Sequence, residues 1–132
     1  MDWNALDLEY FKKAEFTCHC GCGRADMDPN FMRWLDKIRR ALRRPMRVTS
    51  GFRCPQHNAT VSSTGLTGPH TTGKAVDIGV SGEGAFMLLS LAMGAGVQGV
   101  GVKQNGSHAG RFLHLDMLTH DEAGTRPWVW SY

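Results

Sequence analysis

No run of apolar residues in this 132-residue sequence approaches the ~20 needed for a membrane-spanning helix. The first residues, Met1-Asp2-Trp3-Asn4-Ala5-Leu6-Asp7, lack both a basic stretch and an apolar one, so no secretory signal peptide is expected. A strong excess of charge of one sign is missing too. Fifteen Lys and Arg face 12 Asp and Glu, a formal +3 that suits attraction to an anionic surface without requiring it. Paired Cys-x-x-Cys knuckles are absent as well. Cys18-His19-Cys20-Gly21-Cys22 is spaced Cys-x-Cys-x-Cys, which excludes the usual zinc-finger pattern. A structural metal completed by Cys54 stays open, and so does a disulfide, although synthesis in a cytoplasm weighs against the latter.

What is present describes one ordinary globular domain, residues 1–132. Apolar residues make up 42% and charged ones 20%, and the length suffices for a sizeable core. Leu6 to Phe16 reads as a short helix or helical turn. Asp28 is a helix N-cap with Pro29 at the first position; Phe31, Leu35, Ile38 and Leu42 then recur at helical spacing, and Pro45 ends the element. Arg33, Lys37, Arg39, Arg40, Arg43 and Arg44 fill much of the rest. Without a nucleic-acid-binding motif they read as a solvated face. Met46–Ser50 reads as a strand, Gln56-His57-Asn58 as the start of a short helix, and Glu83–Met93 as a helix with Phe86, Leu89 and Met93 at core spacing. Val97–Val102 and Phe112–Met117 read as strands around a loop. The ending, Arg126 to Tyr132, is aromatic-rich and is expected to pack on the domain or edge a cleft.

Chemistry concentrates in Thr67–Gly79, with His70 and Asp77 seven positions apart, and in Phe112–Met117, with His114. Two imidazoles and one carboxylate can hold zinc and leave a fourth position open. Zinc so held is Lewis-acidic and brings the pKa of its water to about 7. Strand alternation puts Ala75, Asp77 and Gly79 on one face and Val76, Ile78 and Val80 on the other. His114 shares a face with Phe112 and Asp116, opposite Leu113, Leu115 and Met117. Each ligand would therefore ride on a strand whose other face is core, a rigid mount.

Three motifs occur in order: Ser50-Gly51-Phe52-Arg53-Cys54-Pro55-Gln56-His57-Asn58, His70-x-x-Gly73-x-Ala75-x-Asp77, and Phe112-Leu113-His114-Leu115-Asp116. Together they resemble the zinc D-Ala-D-Ala carboxypeptidase family, which includes phage L-alanyl-D-glutamate endopeptidases and is structurally related to the hedgehog signalling domain. The closest likeness is to the short carboxypeptidase-like domain of phage genomes. The resemblance implies an α+β fold: a small, mostly antiparallel sheet carrying the ligands, with helices packed on one face. It implies zinc on His70, Asp77 and His114, and Arg53 as an anchor for substrate or transition state; a guanidinium stays charged and grips an oxyanion or carboxylate with two donors. The alternative for Arg53 is a structural ion pair.

The sequence departs from the family in two places. Gly68-Pro69-His70 stands where Ser-x-His is usual, with Thr67 as a substitute hydroxyl. Arg111 stands three residues before His114, where many relatives carry the acidic general base. Asp116 and His108 are the substitutes, and Asp116 has the alternative of orienting a ligand. The reaction expected is hydrolysis of a peptide bond in peptidoglycan stem peptides by a monomer with no nucleic-acid or membrane partner. The protein would be a phage or prophage lysin made in the host cytoplasm, acting at the wall after release or as a virion component. The rival expectation is a zinc-holding wall-binding or virion module without turnover.

Overall fold

The computed structural model describes residues 1–132. Asp28 caps helix α1 (Pro29–Leu42) by accepting from the Phe31 amide at 2.9 Å, and Pro29 occupies the first turn, where its missing N–H costs nothing. Phe31, Met32, Leu35 and Ile38 are buried along one stripe. The helix ends at Leu42, before Pro45, because Arg43 turns into the left-handed region at φ 59°.

Strand β1 (Arg47–Ser50) leads through a turn into α2 (Pro55–Val61). Two 3-10 turns, Gly65–Thr67 and Pro69–Thr72, then lead into β2 (Ala75–Gly79). Helix α3 (Gly82–Gly94), β3 (Gly99–Lys103), β4 (Phe112–Asp116), α4 (His120–Ala123) and β5 (Trp128–Ser131) complete the chain. The five strands form one sheet in the order β1-β2-β4-β3-β5. Every pairing is antiparallel except β3 with β5, which is parallel. The architecture is α+β with a mostly antiparallel sheet, as expected.

Alternation divides the sheet. Val76, Ile78, Leu113, Leu115 and Val100 point into a core shared with α1 and α3. Burying each such side chain contributes about 1.5–3 kcal/mol. Two local expectations need correction. The segment from Leu6 to Phe16 is no continuous helix but two short 3-10 turns, Asn4–Leu6 and Lys13–Phe16. The amides of Glu9 and Tyr10, between the turns, donate to the buried Asp36 carboxylate of α1 instead. In α3 the buried stripe is Ala85, Leu88 and Ala92; Phe86 and Met93 are 70% and 61% exposed, and Leu89 is half-buried. Nearly every α3 position is apolar or glycine, so periodicity chooses no face. The side with two alanines lets the helix approach the sheet closely.

Candidate metal centre

One row across the sheet builds the site. Ser50 of β1 is paired with Asp77 of β2, Asp77 with His114 of β4, His114 with Gly101 of β3, and Gly101 with Trp130 of β5. Gly101 is where the row needs no side chain. A Cβ there would lie 2.6 Å from the Trp130 indole nitrogen and 3.0 Å from the His114 Cβ. Gly99, two residues earlier, leaves the space that the Asp116 carboxylate occupies. The third ligand, His70, lies outside the row, on the 3-10 turn before β2.

His70, Asp77 and His114 meet, with their ligand atoms within 4.8 Å of one another. Asp77 Oδ1 lies 3.3 Å from His70 Nε2 and 3.1 Å from His114 Nδ1. The opposite ring nitrogens are already committed. His70 Nδ1 donates to the Gly51 carbonyl at 2.8 Å, and His114 Nε2 donates to Asp116 Oδ2 at 2.7 Å. In the neutral rings, then, two lone pairs and a carboxylate oxygen converge on one spot with no hydrogen between them. Such a set calls for a cation, and two nitrogens with one carboxylate oxygen fit zinc. Hydrogen bonds on the outer ring nitrogens are the usual means of fixing the tautomer of a metal-binding histidine.

Electrostatics agree with the geometry. Burial alone would raise the Asp77 carboxyl, but the His114 and His70 imidazoles outweigh it and hold Asp77 well below the usual carboxylate range. Burial likewise opposes charge on His114, yet Asp116 and Asp77 raise its pKa. The centre is built to hold positive charge between carboxylates.

Asp116 does not sit where a base for attacking water would. It has no exposed surface, and its contacts are His114, the Leu118 amide and the Arg126 guanidinium, whose Nε and Nη2 lie at 3.0 and 2.8 Å. The expectation of Asp116 as general base thus meets a physical obstacle: its oxygens face protein on every side. His108 lies in an exposed 3-10 turn (His108–Gly110) and is not part of the cleft wall. Arg111 donates to the Gly106 carbonyl through Nε and Nη2.

A cleft of about 420 Å³ opens over the three ligands, and Arg53 is its one Lys or Arg. Arg53 donates from Nε to Ser50 Oγ and from Nη1 to Asn58 Oδ1, both at 3.2 Å, while Nη2 stands 3.6 Å from Asp77 Oδ2. Two anchors therefore aim the guanidinium at the centre. Thr67 lines a separate depression, and the serines and threonine that line the cleft are Ser62, Ser63 and Thr64. The opposite wall is aromatic: Phe112, Trp130 and Tyr132, with the Trp130 ring 4.9 Å from that of His114.

A family model described as Peptidase M15 matches residues 9–116. The chain belongs to the peptidase M15 family. A comparison with curated proteins gave no match. The matched stretch contains Arg53, His70, Asp77 and His114 and ends at Asp116. Arg126, Trp130 and Tyr132 lie beyond it; the aromatic ending, expected to pack on the domain or edge a cleft, does edge the cleft through Trp130 and Tyr132, while the role of Arg126 carries no signal in the sequence. Asn58, which orients Arg53, belongs to the Ser50–Asn58 motif and to the short helix expected there, but the sequence assigns it no role of its own.

Proposed function

We propose that the protein is a zinc peptidase cleaving a peptide bond in bacterial peptidoglycan stem peptides, either D-Ala-D-Ala as a carboxypeptidase or L-Ala-D-Glu as an endopeptidase. The observation that carries this is the convergence of His70 Nε2, His114 Nδ1 and Asp77 Oδ1 with both outer ring nitrogens already bonded. When bound there, zinc supplies Lewis acidity and a water acidic near neutral pH, with a pKa of about 7. Arg53 binds the substrate carboxylate or the oxygen that gains charge during attack; donors fixed in advance stabilise such charge best. Asp116 orients His114 by accepting from Nε2, and the His114 and Arg126 side chains together outweigh burial and hold the Asp116 carboxyl below its ordinary pKa. Phe112, Trp130 and Tyr132 form the wall against which a peptide lies. The setting that suits these features is a phage or prophage lysin, made in the host cytoplasm and reaching the wall on release or as a virion component.

A second reading has its own observation. Asp77 is the one carboxylate lining the cleft, and Arg111 fills the position of the familiar acidic base. A zinc-holding wall-binding or virion module without turnover would look like this. Zinc analysis combined with turbidity loss of permeabilised cells, with and without chelator, separates the two. Chelator-sensitive lysis supports the peptidase, and mass spectrometry of the fragments names the bond. Zinc without lysis, with sedimentation on peptidoglycan retained by His114→Ala, supports the module.

A further inference from the structure

A second set of metal-binding side chains lies apart from the catalytic residues. Cys18, Cys20 and Cys22 come from the loop after the Lys13–Phe16 turn, and Cys54 from the turn between β1 and α2. Their four sulfurs lie within 4.8 Å of one another, with Cys18–Cys20 at 3.5 Å and Cys20–Cys54 at 3.7 Å. A disulfide needs sulfurs about 2.05 Å apart, and all four thiols are free. Zinc–sulfur bonds of about 2.3 Å in a tetrahedron put sulfurs about 3.8 Å apart. The two closest separations, 3.5 and 3.7 Å, fall just below that value.

Local backbone explains how an unusual spacing builds this cluster. In an extended chain, alternate cysteines would share a face but stand about 6.6–6.8 Å apart. Gly21 and Gly23 adopt φ +90° and +78°, a region glycine enters without strain. They curl the loop on itself, and the Cys18 amide closes it by donating to the Arg24 carbonyl at 2.8 Å. The Cys54 amide donates to Cys18 Sγ at 3.4 Å, a bond of the kind that steadies a ligating sulfur.

We propose that Cys18, Cys20, Cys22 and Cys54 hold a structural zinc ion, distinct from the His70/Asp77/His114 centre. Four protein ligands close the coordination shell, so this ion does no hydrolysis. Its place in the fold gives it a positioning role. The segment it fastens, Gly51–Cys54, supplies the carbonyl that holds the His70 ring and carries Arg53, whose amide donates to the His70 carbonyl at 3.1 Å. The cysteine site thus steadies one wall of the catalytic centre. The inference stands independently of which peptide bond is cut, and of whether any is.

The decisive experiment uses the intact wild-type protein. Titration with a thiol-specific organomercurial, in the presence of a zinc-sensitive dye, should consume four thiols and release one equivalent of zinc. Elemental analysis should give two zinc ions per chain, falling to one in His70→Ala/His114→Ala and to one in Cys20→Ser/Cys22→Ser. Cobalt-substituted wild-type protein should show sulfur-to-metal charge transfer that the double cysteine variant lacks. Four titratable thiols with no zinc released would overturn the proposal. So would fewer than four thiols under non-reducing conditions, or iron in place of zinc. If the cysteine variant fails to fold, the wild-type titration still decides.

Discussion

The two ligand clusters of this chain are organised in opposite ways. The His70/Asp77/His114 centre is held by partners outside the ligand set: the Gly51 carbonyl, the Asp116 carboxylate and the ladder that pairs Asp77 with His114. All three residues are buried. The cysteine cluster has a loop backbone, an amide-to-sulfur bond and little else, and Cys20 and Cys22 are exposed. The first is fixed by the fold around it; the second is shaped by its own loop, so a bound metal would carry much of its stability. Losing the metal should therefore cost the first mainly chemistry and the second mainly order.

The largest effect expected is on the first cluster. Asp77→Ala removes the one carboxylate that both imidazoles face. Zinc at that centre should be lost and peptidoglycan hydrolysis should fall by on the order of 10³-fold, the several kcal/mol that a metal contributes. The core strands stay paired, so circular dichroism should change little. Lysis at the wild-type rate would break the comparison and the zinc assignment together.

Arg53 stands between the clusters and should follow. Arg53→Lys keeps the charge but loses the planar fork that reaches Ser50, Asn58 and the cleft at once. Turnover should drop about 10²-fold, in line with removing one fixed donor at a developing charge, with zinc content unchanged. A kinetic assay on a synthetic stem peptide reads it.

Asp116→Asn sharpens the question of what Asp116 does. As an orienting partner of a metal ligand, its loss should weaken zinc binding at the centre about 10–100-fold. It also strands Arg126, whose side chain is 6% exposed, and removing one member of a buried pair costs about 3–5 kcal/mol. Adding Arg126→Met should restore much of the stability, read by urea unfolding, but not the zinc affinity. A base would behave otherwise: Asp116→Asn would keep zinc at full affinity and lose only turnover.

Much of this site was legible from spacing, because strand alternation is a rigid rule. Once β2 and β4 are recognised, Asp77 and His114 must share faces with Ala75 and Phe112 rather than with the core-facing valine and leucines. Register was not legible, since nothing in the sequence of β2 states which residue of β4 it meets. Beyond the family match, Trp128-Val129-Trp130-Ser131 has the composition of a strand, yet its parallel pairing with β3 depends on Gly101 leaving room for the Trp130 indole. Helix α3 failed for the opposite reason: apolar residues surround it, and only packing against the sheet selects Ala85, Leu88 and Ala92.

The smallest effect concerns how that final segment is tied down. Two ion pairs fasten it, the buried Arg126–Asp116 pair and the half-buried Lys74–Glu122 pair at 2.9 Å. Lys74 holds Glu122 below its ordinary pKa, and Glu122 raises Lys74. The acid's share of the stability is present above its unfolded value of about 4.3 and lost as pH falls through the lower folded one. The lysine's share is present below about 10.4 and lost as pH rises through its higher folded value. Glu122→Gln keeps an oxygen for the Thr119 amide, which Glu122 now accepts at 3.0 Å. The cost should thus be the ion pair alone, below about 1 kcal/mol at neutral pH because solvent screens it. Urea midpoints of wild type and variant should converge on going from pH 6 to pH 3, with zinc content equal throughout. A cost matching that of Asp116→Asn would mean that exposure does not separate the two tethers, and that the segment is held chiefly from α4.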